Sequence, residues 1–252
     1  MKKVYIVGAG PGDPDLITVK GKNIIKKADI IIYAGSLVNK EILGCRKKDS
    51  EIFNSAKMNL EEVIDVIKKG VENCKLVARV HTGDPSIYGA IREQIDILKR
   101  DNIECEVIPG VSSFVASAAQ LKKEFTLPEV SQTVICTRLE GRTKVPKLEN
   151  LESLASHKAS MAIFLSVHMI EDVVDKLTKH YSEDTLVAVV QRATWKDQII
   201  VKGKLKNIAN KVKEANITKT AQILVGDFLG DEYALSKLYD KNFSHEYRSA
   251  KK

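Results

Sequence analysis

Short apolar segments that alternate with amphipathic segments of helical spacing constrain the fold of this chain more than any other feature. In the first half, apolar runs at residues 4–7, 29–33, 51–53, 76–80 and 105–108 predict strands. Between them, residues 18–28, 59–73, 87–100 and 112–121 predict helices. Asn59 is the expected N-cap of the second of these helices. Such alternation indicates an α/β fold whose mostly parallel sheet is covered by helices on both faces.

The second half of the chain changes character after residues 122–132, a charged segment that contains Pro128. Strands are predicted at residues 133–137, 162–165, 186–191, 198–201 and 222–225, and helices at residues 168–180 and 204–215. This pattern predicts a second α/β domain, with a mixed sheet flanked by helices. We therefore expect an N-terminal domain at 1–121, a linker at 122–132, a C-terminal domain at 133–230 and a polar tail at 231–252.

Length and composition exclude several classes of protein. The chain has 252 residues, 44% of them hydrophobic, which is enough for one large or two modest domains with their own cores. No apolar run approaches the roughly 20 residues of a membrane span, and no basic leader precedes the first strand. A cytoplasmic protein without a membrane partner is therefore expected. The four cysteines lie about thirty residues apart without a CxxC pair, which predicts free, mostly buried thiols and no metal site.

The formal net charge of +7 has three explanations that the sequence leaves open. A basic surface binds nucleic acid in some proteins, a basic cleft attracts small acidic substrates in others, and many Lys-rich surfaces have no partner. The basic residues are spread along the predicted helices, and no aromatic side chains alternate with them as they do where bases stack. Nucleic acid is therefore not an expected partner.

The loop after the first strand, VGAGPGDPDLITVKG at residues 7–21, departs from a dinucleotide-binding turn. Such a turn needs a third glycine, where this chain has Asp13, and backbone N–H groups, two of which Pro11 and Pro14 remove. A carboxylate at that position repels a diphosphate. The glycines still permit a ligand to approach the backbone closely. A neutral or cationic group, such as a ribose or a sulfonium, therefore suits this loop better.

A second loop, RVHTGDPSIYG at residues 79–89, repeats the Gly-Asp-Pro turn after another predicted strand. Ligands of open α/β sheets bind at the carboxyl ends of strands, so the two turns indicate one ligand site between them. The alternative is that each aspartate only caps its helix. A third loop, VIPGVSS at 107–113, brings Ser112 and Ser113 to the start of a helix. Neither lies in the G-x-S-x-G turn of a serine nucleophile.

These three loops, in this order and spacing, resemble those of the tetrapyrrole (class III) S-adenosylmethionine methyltransferases, from residue 3 to about residue 228. Four further segments are similar to the branch that methylates C11 of precorrin-4 or cobalt-precorrin-4 in cobalamin synthesis. They are YAGSLV at 33–38, TVICTRLEGRTKVP at 133–146, QRATWKDQ at 191–198 and SKLYDKNFSHEYR at 236–248. The resemblance implies two α/β domains with the cofactor between them, and a homodimer.

The resemblance also implies S-adenosylmethionine as cofactor, S-adenosylhomocysteine as its product, and a polycarboxylate tetrapyrrole as substrate. Cofactor contacts are implied for Pro11, Thr82, Gly83, Asp84, Ile87, Ser112, Ser113, Ser166, Ala193 and Ala221. A ring carbon would attack the methyl group directly, a step that needs alignment and exclusion of water more than covalent help. Relatives acting on uroporphyrinogen carry an Asp after the tyrosine of the second strand, whereas Ala34 follows Tyr33 here, so that residue's role does not carry over.

Substrate contacts are predicted from charge, because guanidinium groups bind carboxylates through two parallel hydrogen bonds. Arg79, Arg138, Arg142 and Arg192 lie at predicted strand ends or in adjoining loops. His81, beside Thr82, is the candidate catalytic group for proton transfer. The alternative for the arginines is a surface ion pair, and for His81 a packed strand-end position.

Two other functions stay open at this point. One is a related methyltransferase that acts on another carbon of a precorrin or uroporphyrinogen macrocycle. The other is a regulatory or nucleic-acid-binding protein with the same fold. Whether the macrocycle carries cobalt is also open, although the Lys- and Ile-rich composition favours the cobalt form.

Overall fold

The computed structural model describes residues 3–250 and divides the chain into two compact units. Unit 1 contains the residues up to Ala116 together with Arg192–Gln198. Unit 2 contains Ser117–Gln191 and the residues from Ile199 onward. A short internal segment, 192–198, thus belongs to unit 1 although its neighbours in sequence belong to unit 2.

The segment expected as a linker, residues 122–132, belongs to unit 2 and packs within it. The ring of Phe125 lies 4.7 Å from the ring of Phe228. The hydroxyl of Ser160 donates a hydrogen bond to the carbonyl of Phe125 at 2.8 Å. The ammonium of Lys123 donates to the carbonyl of Gly230 at 2.6 Å. Its polar sequence therefore reflects surface contacts made by an ordered segment.

Unit 1 contains a five-stranded sheet in which every pair of strands is parallel. The strands are β1 (Lys3–Gly8), β2 (Ile30–Tyr33), β3 (Glu51–Asn54), β4 (Val77–His81) and β5 (Glu104–Ile108), in the order β3-β2-β4-β1-β5. Val4 of β1 pairs with Val77 on one side and with Cys105 on the other. Since the strands run in one direction, their carboxyl ends and the loops that follow share one edge of the sheet.

Helices bury both faces of this sheet, as the alternation of strands and helices predicts. The helices are α1 (Val19–Lys27), α2 (Leu60–Glu72) and α3 (Arg92–Arg100), whereas α4 (Ser113–Leu121) begins in unit 1 and ends in unit 2. Ile31 of β2 packs in a cluster with Ile25 of α1, whereas its neighbour Ile32 packs with Ile67 of α2 and Leu98 of α3. Consecutive side chains of a strand point to opposite faces, so a strand buried on both faces is apolar throughout.

The start of α2 is confirmed and the start of α3 is wrong by five residues. The Asn59 side chain accepts from the Glu62 N–H while the Glu62 side chain accepts from the Asn59 N–H, which forms a capping box. The helix expected from residue 87 begins only at Arg92. Tyr88 and Ala90 have φ values of +55° and +49°, so the chain first makes a turn that no α-helix accommodates.

Unit 2 contains the predicted mixed sheet. Its strands are β6 (Val134–Arg138), β7 (Ser160–Phe164), β8 (Leu186–Gln191), β9 (Ile199–Lys204) and β10 (Ala221–Val225), in the order β6-β7-β10-β8-β9. Only β6 and β7 pair in parallel, and the other neighbours are antiparallel. Helices α5 (Leu151–Ala155), α6 (Ile170–Leu177) and α7 (Leu205–Glu214) contribute to one core cluster with Met161, Ile163 and Ile223.

Other sequence expectations meet a mixed outcome. Within residues 3–250, no helix is long and apolar enough to cross a membrane. The four cysteines are free, but the expectation of mostly buried thiols is wrong: Cys45 and Cys105 are half-buried, and Cys74 and Cys136 are exposed. Cys74 follows the end of α2, and Cys136 lies on the edge strand β6. The tail contains a short 3-10 helix, Lys237–Tyr239, and the Arg248 guanidinium donates to the carbonyls of Leu238 and Asp240.

Candidate active site

Backbone hydrogen bonds join the loops after β1 and β4 at the carboxyl edge of the unit 1 sheet. The N–H of Gly83 donates to the carbonyl of Gly10 at 2.8 Å, and the N–H of Gly10 donates to the carbonyl of Gly83 at 3.2 Å. The N–H of Ala9 donates to the carbonyl of His81 at 2.8 Å. The two Gly-Asp-Pro turns therefore lie side by side, as the sequence predicts.

Three glycines from three loops pack against one another at this edge. A Cβ atom on Gly110 would lie 2.1 Å from the Gly83 carbonyl oxygen and 2.9 Å from the Gly8 Cα. A Cβ on Gly8 would lie 2.7 Å from the Gly110 nitrogen. Gly83 has a φ of +58°, a conformation that glycine adopts without steric cost. We call Gly8, Gly83 and Gly110 the glycine junction.

The carboxylate of Asp84 stabilises two of the loops. Its Oδ1 accepts from the Ser86 N–H at 2.8 Å and from the Ser86 hydroxyl, and its Oδ2 accepts from the Gly110 N–H at 2.9 Å. Partial burial opposes ionisation of Asp84, but these hydrogen bonds outweigh it and hold the pKa below its usual range. Asp84 therefore caps its own turn and also holds the β5 loop. A contact with cofactor stays a prediction.

The first glycine loop is bonded to side chains that lie far away in the sequence. The indole N–H of Trp195 donates to the carbonyl of Pro11 at 2.9 Å, and the Asn39 side chain donates to the carbonyl of Gly12 at 2.9 Å. The N–H of Asp13 donates to the hydroxyl of Thr194 at 2.9 Å. The Asp13 carboxylate accepts from the Asp15 N–H, so it caps the short 3-10 helix that follows.

His81, the last residue of β4, is 5% exposed, and its Nε2 has no hydrogen-bond partner among residues 3–250. Burial, followed by the nearby charge of Arg79, lowers the pKa of His81 to about 3. The imidazole is therefore neutral at physiological pH and accepts a proton only weakly. The geometry favours a role as a hydrogen-bonding group, and proton transfer by His81 stays a prediction.

Arg79 lies in the middle of β4, not at a strand end as expected from the sequence, and is 7% exposed. Its guanidinium donates to the Gln94 side chain and to the Ile32 carbonyl, both at 3.3 Å. The arginines that form ion pairs in the described chain are Arg92 and Arg192, so Arg79 has no carboxylate partner there. Burial lowers its pKa to about 10, which leaves it charged at neutral pH.

A pocket of about 160 Å³ opens beside this uncompensated charge. Arg79 and Gln94 line it, together with Asn59 at the start of α2 and Glu93 in the first turn of α3. A buried charge without a counter-ion is costly unless a partner compensates it. The pocket is large enough for one carboxylate group and far too small for a macrocycle.

The other predicted cofactor residues of unit 1 lie near the glycine junction or on the 192–198 segment. A Cβ on Gly83 would lie 3.5 Å from the Cα of Ser112 and 3.7 Å from the nitrogen of Ser113. Thr82 directly precedes Gly83 and is half-buried. The N–H of Ile87 donates to the Asp84 carbonyl at 3.2 Å. Ala193 is buried next to Thr194.

The predicted cofactor residues of unit 2 lie at one edge of its sheet, where β6 and β7 end and β10 begins. The hydroxyl of Ser166 is fully buried, donates to the Phe164 carbonyl at 2.6 Å and accepts from the Leu139 N–H at 2.8 Å. Ala221 pairs with Gln191 at the start of β10. Ser166 thus has a structural task, and the cofactor contacts of Ser166 and Ala221 stay predictions.

Two of the predicted substrate arginines are engaged within the protein. The Arg138 guanidinium donates to three carbonyls of its own loop, those of Leu139, Thr143 and Lys144. Arg192 pairs with Asp197 at 2.8 Å and lies 4.2 Å from the centre of the Trp195 ring. Arg142 is exposed in the loop after β6. Each remains a prediction as a substrate contact.

Residues 3–209 match the model of the tetrapyrrole (corrin/porphyrin) methylases. The chain belongs to this family. It is 61% identical to the cobalt-precorrin-4 C(11)-methyltransferase of Methanocaldococcus jannaschii, with 100% of this chain and 98% of that protein covered. It is 47% identical to the precorrin-4 C(11)-methyltransferase of Pseudomonas aeruginosa, with 97% and 98% covered. Both relatives carry the activity that the sequence motifs predicted for this branch.

A solved structure supports the same family assignment for this methylase. The X-ray structure of a cobalamin biosynthetic enzyme, cobalt precorrin-4 methyltransferase, matches this chain with a TM-score of 0.89 and 45% identity. The match covers 91% of this chain and 96% of that chain. The family and the two-sheet α/β fold predicted from the sequence are therefore confirmed.

The hydrogen-bonding groups of the first glycine loop suit a cationic cofactor of such a methylase better than a diphosphate. The N–H groups of Gly10 and Asp13 are already bonded within the protein, and Pro11 and Pro14 have none. Asp13 adds a carboxylate beside the loop. In this chain the edge therefore combines close backbone packing with few free backbone N–H groups that could bind a phosphate.

Three residues of this site are absent from the sequence-based predictions: Asn39, Thr194 and Trp195. Each bonds a backbone group of the first glycine loop. The available signal was Trp195, the only tryptophan of the chain, within the QRATWKDQ motif. Of that motif, only Arg192 and Ala193 were proposed as site residues.

Proposed function

We propose that this chain transfers the methyl group of S-adenosylmethionine to C11 of cobalt-precorrin-4, giving cobalt-precorrin-5 in cobalamin biosynthesis. The observation that carries the proposal is the 61% identity, over its whole length, with a protein that bears this name. Metal-free precorrin-4 is the second candidate substrate, because the 47% identical relative is named for it.

The cofactor would be held at the carboxyl edge of the unit 1 sheet. S-Adenosylmethionine supplies an electrophilic methyl group on a positively charged sulfur. The glycine junction lets the loops after β1, β4 and β5 pack closely against one another, and we expect Pro11, Thr82, Gly83, Asp84 and Ile87 of the β1 and β4 loops to contact the cofactor. We expect further contacts from Ser112, Ser113, Ala193, Ser166 and Ala221, as the family resemblance implies.

Arg79 is the best supported of the proposed substrate contacts. The substrate carries several carboxylates, and a guanidinium that is buried without a counter-ion gains most from such a partner. The pocket beside it accommodates one carboxylate arm. The buried Nε2 of the neutral His81, on the same strand, has no hydrogen-bond partner among residues 3–250, and we expect the ligand to supply one.

The chain's contribution to the reaction would be alignment and exclusion of water. Displacement at a methyl group needs the attacking carbon in line with the breaking bond, and a well-oriented pair reacts far faster than one free in solution. The rigid loops around the glycine junction suit this task. With a pKa of about 3, His81 is poorly suited to be the general base, and we assign that role to no residue.

Turnover with a ¹³C-methyl-labelled donor tests the proposal. The protein is mixed with cobalt-precorrin-4 or with metal-free precorrin-4, and the product is analysed by mass spectrometry and carbon NMR. We expect one added methyl group at C11 and faster turnover of the cobalt form. A methyl at another carbon would assign the chain to a related methyltransferase. No transfer to either substrate, together with no binding of S-adenosylhomocysteine in calorimetry, would refute the proposal.

The assembly follows the resemblance, and the location follows the sequence expectation. We propose a homodimer that acts in the cytoplasm. Light scattering on the purified protein measures the mass, for which we expect twice 28.0 kDa. A mass of 28.0 kDa at micromolar concentration would contradict the dimer, and recovery in the membrane fraction of lysed cells would contradict the location.

A further inference from the structure

The 192–198 segment connects two strands of unit 2 but belongs to unit 1, where it covers the first glycine loop. Two of its side chains bond that loop directly. Trp195 donates to the Pro11 carbonyl, and Thr194 accepts from the Asp13 N–H, both at 2.9 Å. Two backbone groups of the Pro11–Asp13 turn therefore depend on this segment for their hydrogen bonds.

Trp195 also contacts this turn through its ring. A Cβ atom on Gly12 would lie 2.1 Å from the Cδ1 of Trp195, so the indole lies directly on the glycine. The guanidinium of Arg192 lies 4.2 Å from the centre of the ring, on its way to an ion pair with Asp197. The indole therefore packs between the Gly12 backbone and a cation, which restricts its movement.

The backbone of the segment has an uncommon conformation that these contacts maintain. Arg192 and Thr194 have φ values of +50° and +71°. Positive φ is rare for residues other than glycine, and for a β-branched residue such as threonine it is an outlier. Such conformations persist where surrounding contacts determine them, and they concentrate at ligand sites.

We propose that the 192–198 segment positions the Pro11–Asp13 turn for the cofactor, and that Trp195 is the main positioning residue. The inference rests on the proposed function, because it assumes that S-adenosylmethionine lies against Pro11. A turn already held in its bound shape loses less conformational entropy when the ligand binds. The indole N–H donates to the backbone of the turn and not to the cofactor, yet cofactor affinity depends on it because it holds the turn in that shape.

Trp195 offers a direct measurement, since it is the only tryptophan in the chain. Titration of the protein with S-adenosylhomocysteine should change the tryptophan emission in a saturable way. The midpoint should match the Kd from calorimetry.

The variant Trp195→Phe keeps a ring on Gly12 and removes the donor to Pro11. We expect its Kd for S-adenosylhomocysteine to rise about 3- to 10-fold, which corresponds to the loss of one ordinary hydrogen bond. The KM for the tetrapyrrole should change much less than the KM for S-adenosylmethionine. Equal affinity of the variant and the unmodified protein would overturn the proposal.

Tyr181→Phe is the matched control. Tyr181 is buried in unit 2, and its hydroxyl donates to the Ala159 carbonyl at 2.5 Å, so the variant loses the same kind of bond away from the loop. We expect similar loss of thermal stability in both variants and weaker cofactor binding only in Trp195→Phe. Equal weakening in both would assign Trp195 a purely structural role. If the unmodified protein binds no S-adenosylhomocysteine, the proposed function fails first, and the positioning role falls with it.

Discussion

Replacement of Gly110 by alanine tests the glycine junction, because no side-chain movement can relieve the contact it creates. The new Cβ would lie 2.1 Å from the Gly83 carbonyl oxygen, about 1.3 Å closer than the 3.4 Å at which ordinary contacts begin. The backbone of the β4 loop or of the β5 loop must therefore move. That movement breaks the bond from the Gly110 N–H to Asp84 or the bond between Gly83 and Gly10.

The expected cost follows from these two effects. Overpacking in a tightly packed region costs about 1 to 3 kcal/mol. Each lost hydrogen bond adds about 1 kcal/mol. The sum, about 2 to 4 kcal/mol for the loss of one such bond, corresponds to a fall in Tm of about 4 to 16 °C for a chain of this length. Affinity for S-adenosylhomocysteine should fall as well, since the junction lies at the proposed cofactor edge.

Two other glycines provide a graded control. A Cβ on Gly44 would have no atom within 4 Å, so Gly44→Ala should change the free energy of unfolding by less than about 0.5 kcal/mol. A Cβ on Gly83 would meet only ordinary contacts, so Gly83→Ala should cost mainly the strain of its positive φ, about 1 to 2 kcal/mol. Urea unfolding and calorimetry measure the series. If Gly110→Ala is as stable as Gly44→Ala, the reasoning about backbone contact at this junction is wrong.

Two further predictions concern the buried groups of β4. The pKa of His81 falls from an ordinary 6.5 to about 3 in the folded protein. Between these two pH values the unfolded chain binds a proton at His81 that the folded protein does not bind. Up to about 5 kcal/mol of stability is therefore lost as pH falls from about 6.5 to 3. Urea unfolding at several pH values should show this loss in the unmodified protein and much less of it in His81→Asn; identical profiles would contradict it. Arg79→Met should keep or raise the Tm, because an uncompensated buried charge is removed, while KM for the tetrapyrrole rises about 10-fold or more. A lower Tm with an unchanged KM would show that Arg79 stabilises the fold and does not bind substrate. The control is calorimetry with S-adenosylhomocysteine, whose Kd should be the same in Arg79→Met and in the unmodified protein.

Local patterns predicted most of the secondary structure, but they missed the short helix α5 (Leu151–Ala155) and the irregular turn before α3. The apolar run of β2 and the capping residues around Asn59 each act within a few positions, so the sequence shows them directly. The start of α3 was missed because the turn before it depends on positive φ at Tyr88 and Ala90. Neither residue type favours that conformation, and a Cβ on Gly89 would lie 2.0 Å from the Pro85 carbonyl oxygen, so the turn involves a close backbone contact that no local pattern predicts.

The predicted site residues divide along the same line. That the two Gly-Asp-Pro turns meet follows from parallel strands whose carboxyl ends share an edge, and the sequence shows both the strands and the turns. The burial and the hydrogen-bond partners of each side chain do not follow from the sequence pattern. Arg79 was expected at the end of its strand to meet substrate, whereas the structure buries it in the strand's middle without a counter-ion. Burial, which sets the pKa values of Arg79 and His81, is a property of packed neighbours and has no local signature.

The first glycine loop shows most clearly what the sequence decides and what the tertiary structure decides. The sequence alone determined that the loop is a poor cradle for a diphosphate, because Pro11 and Pro14 lack N–H groups and Asp13 replaces a glycine. Only the tertiary structure decided which groups complete it. Asp13 bonds Thr194 across 181 positions, and Pro11 bonds Trp195 across 184 positions. Contacts at such separation form because folding places the 192–198 segment against the β1 loop, and no periodicity or propensity along the chain encodes that meeting.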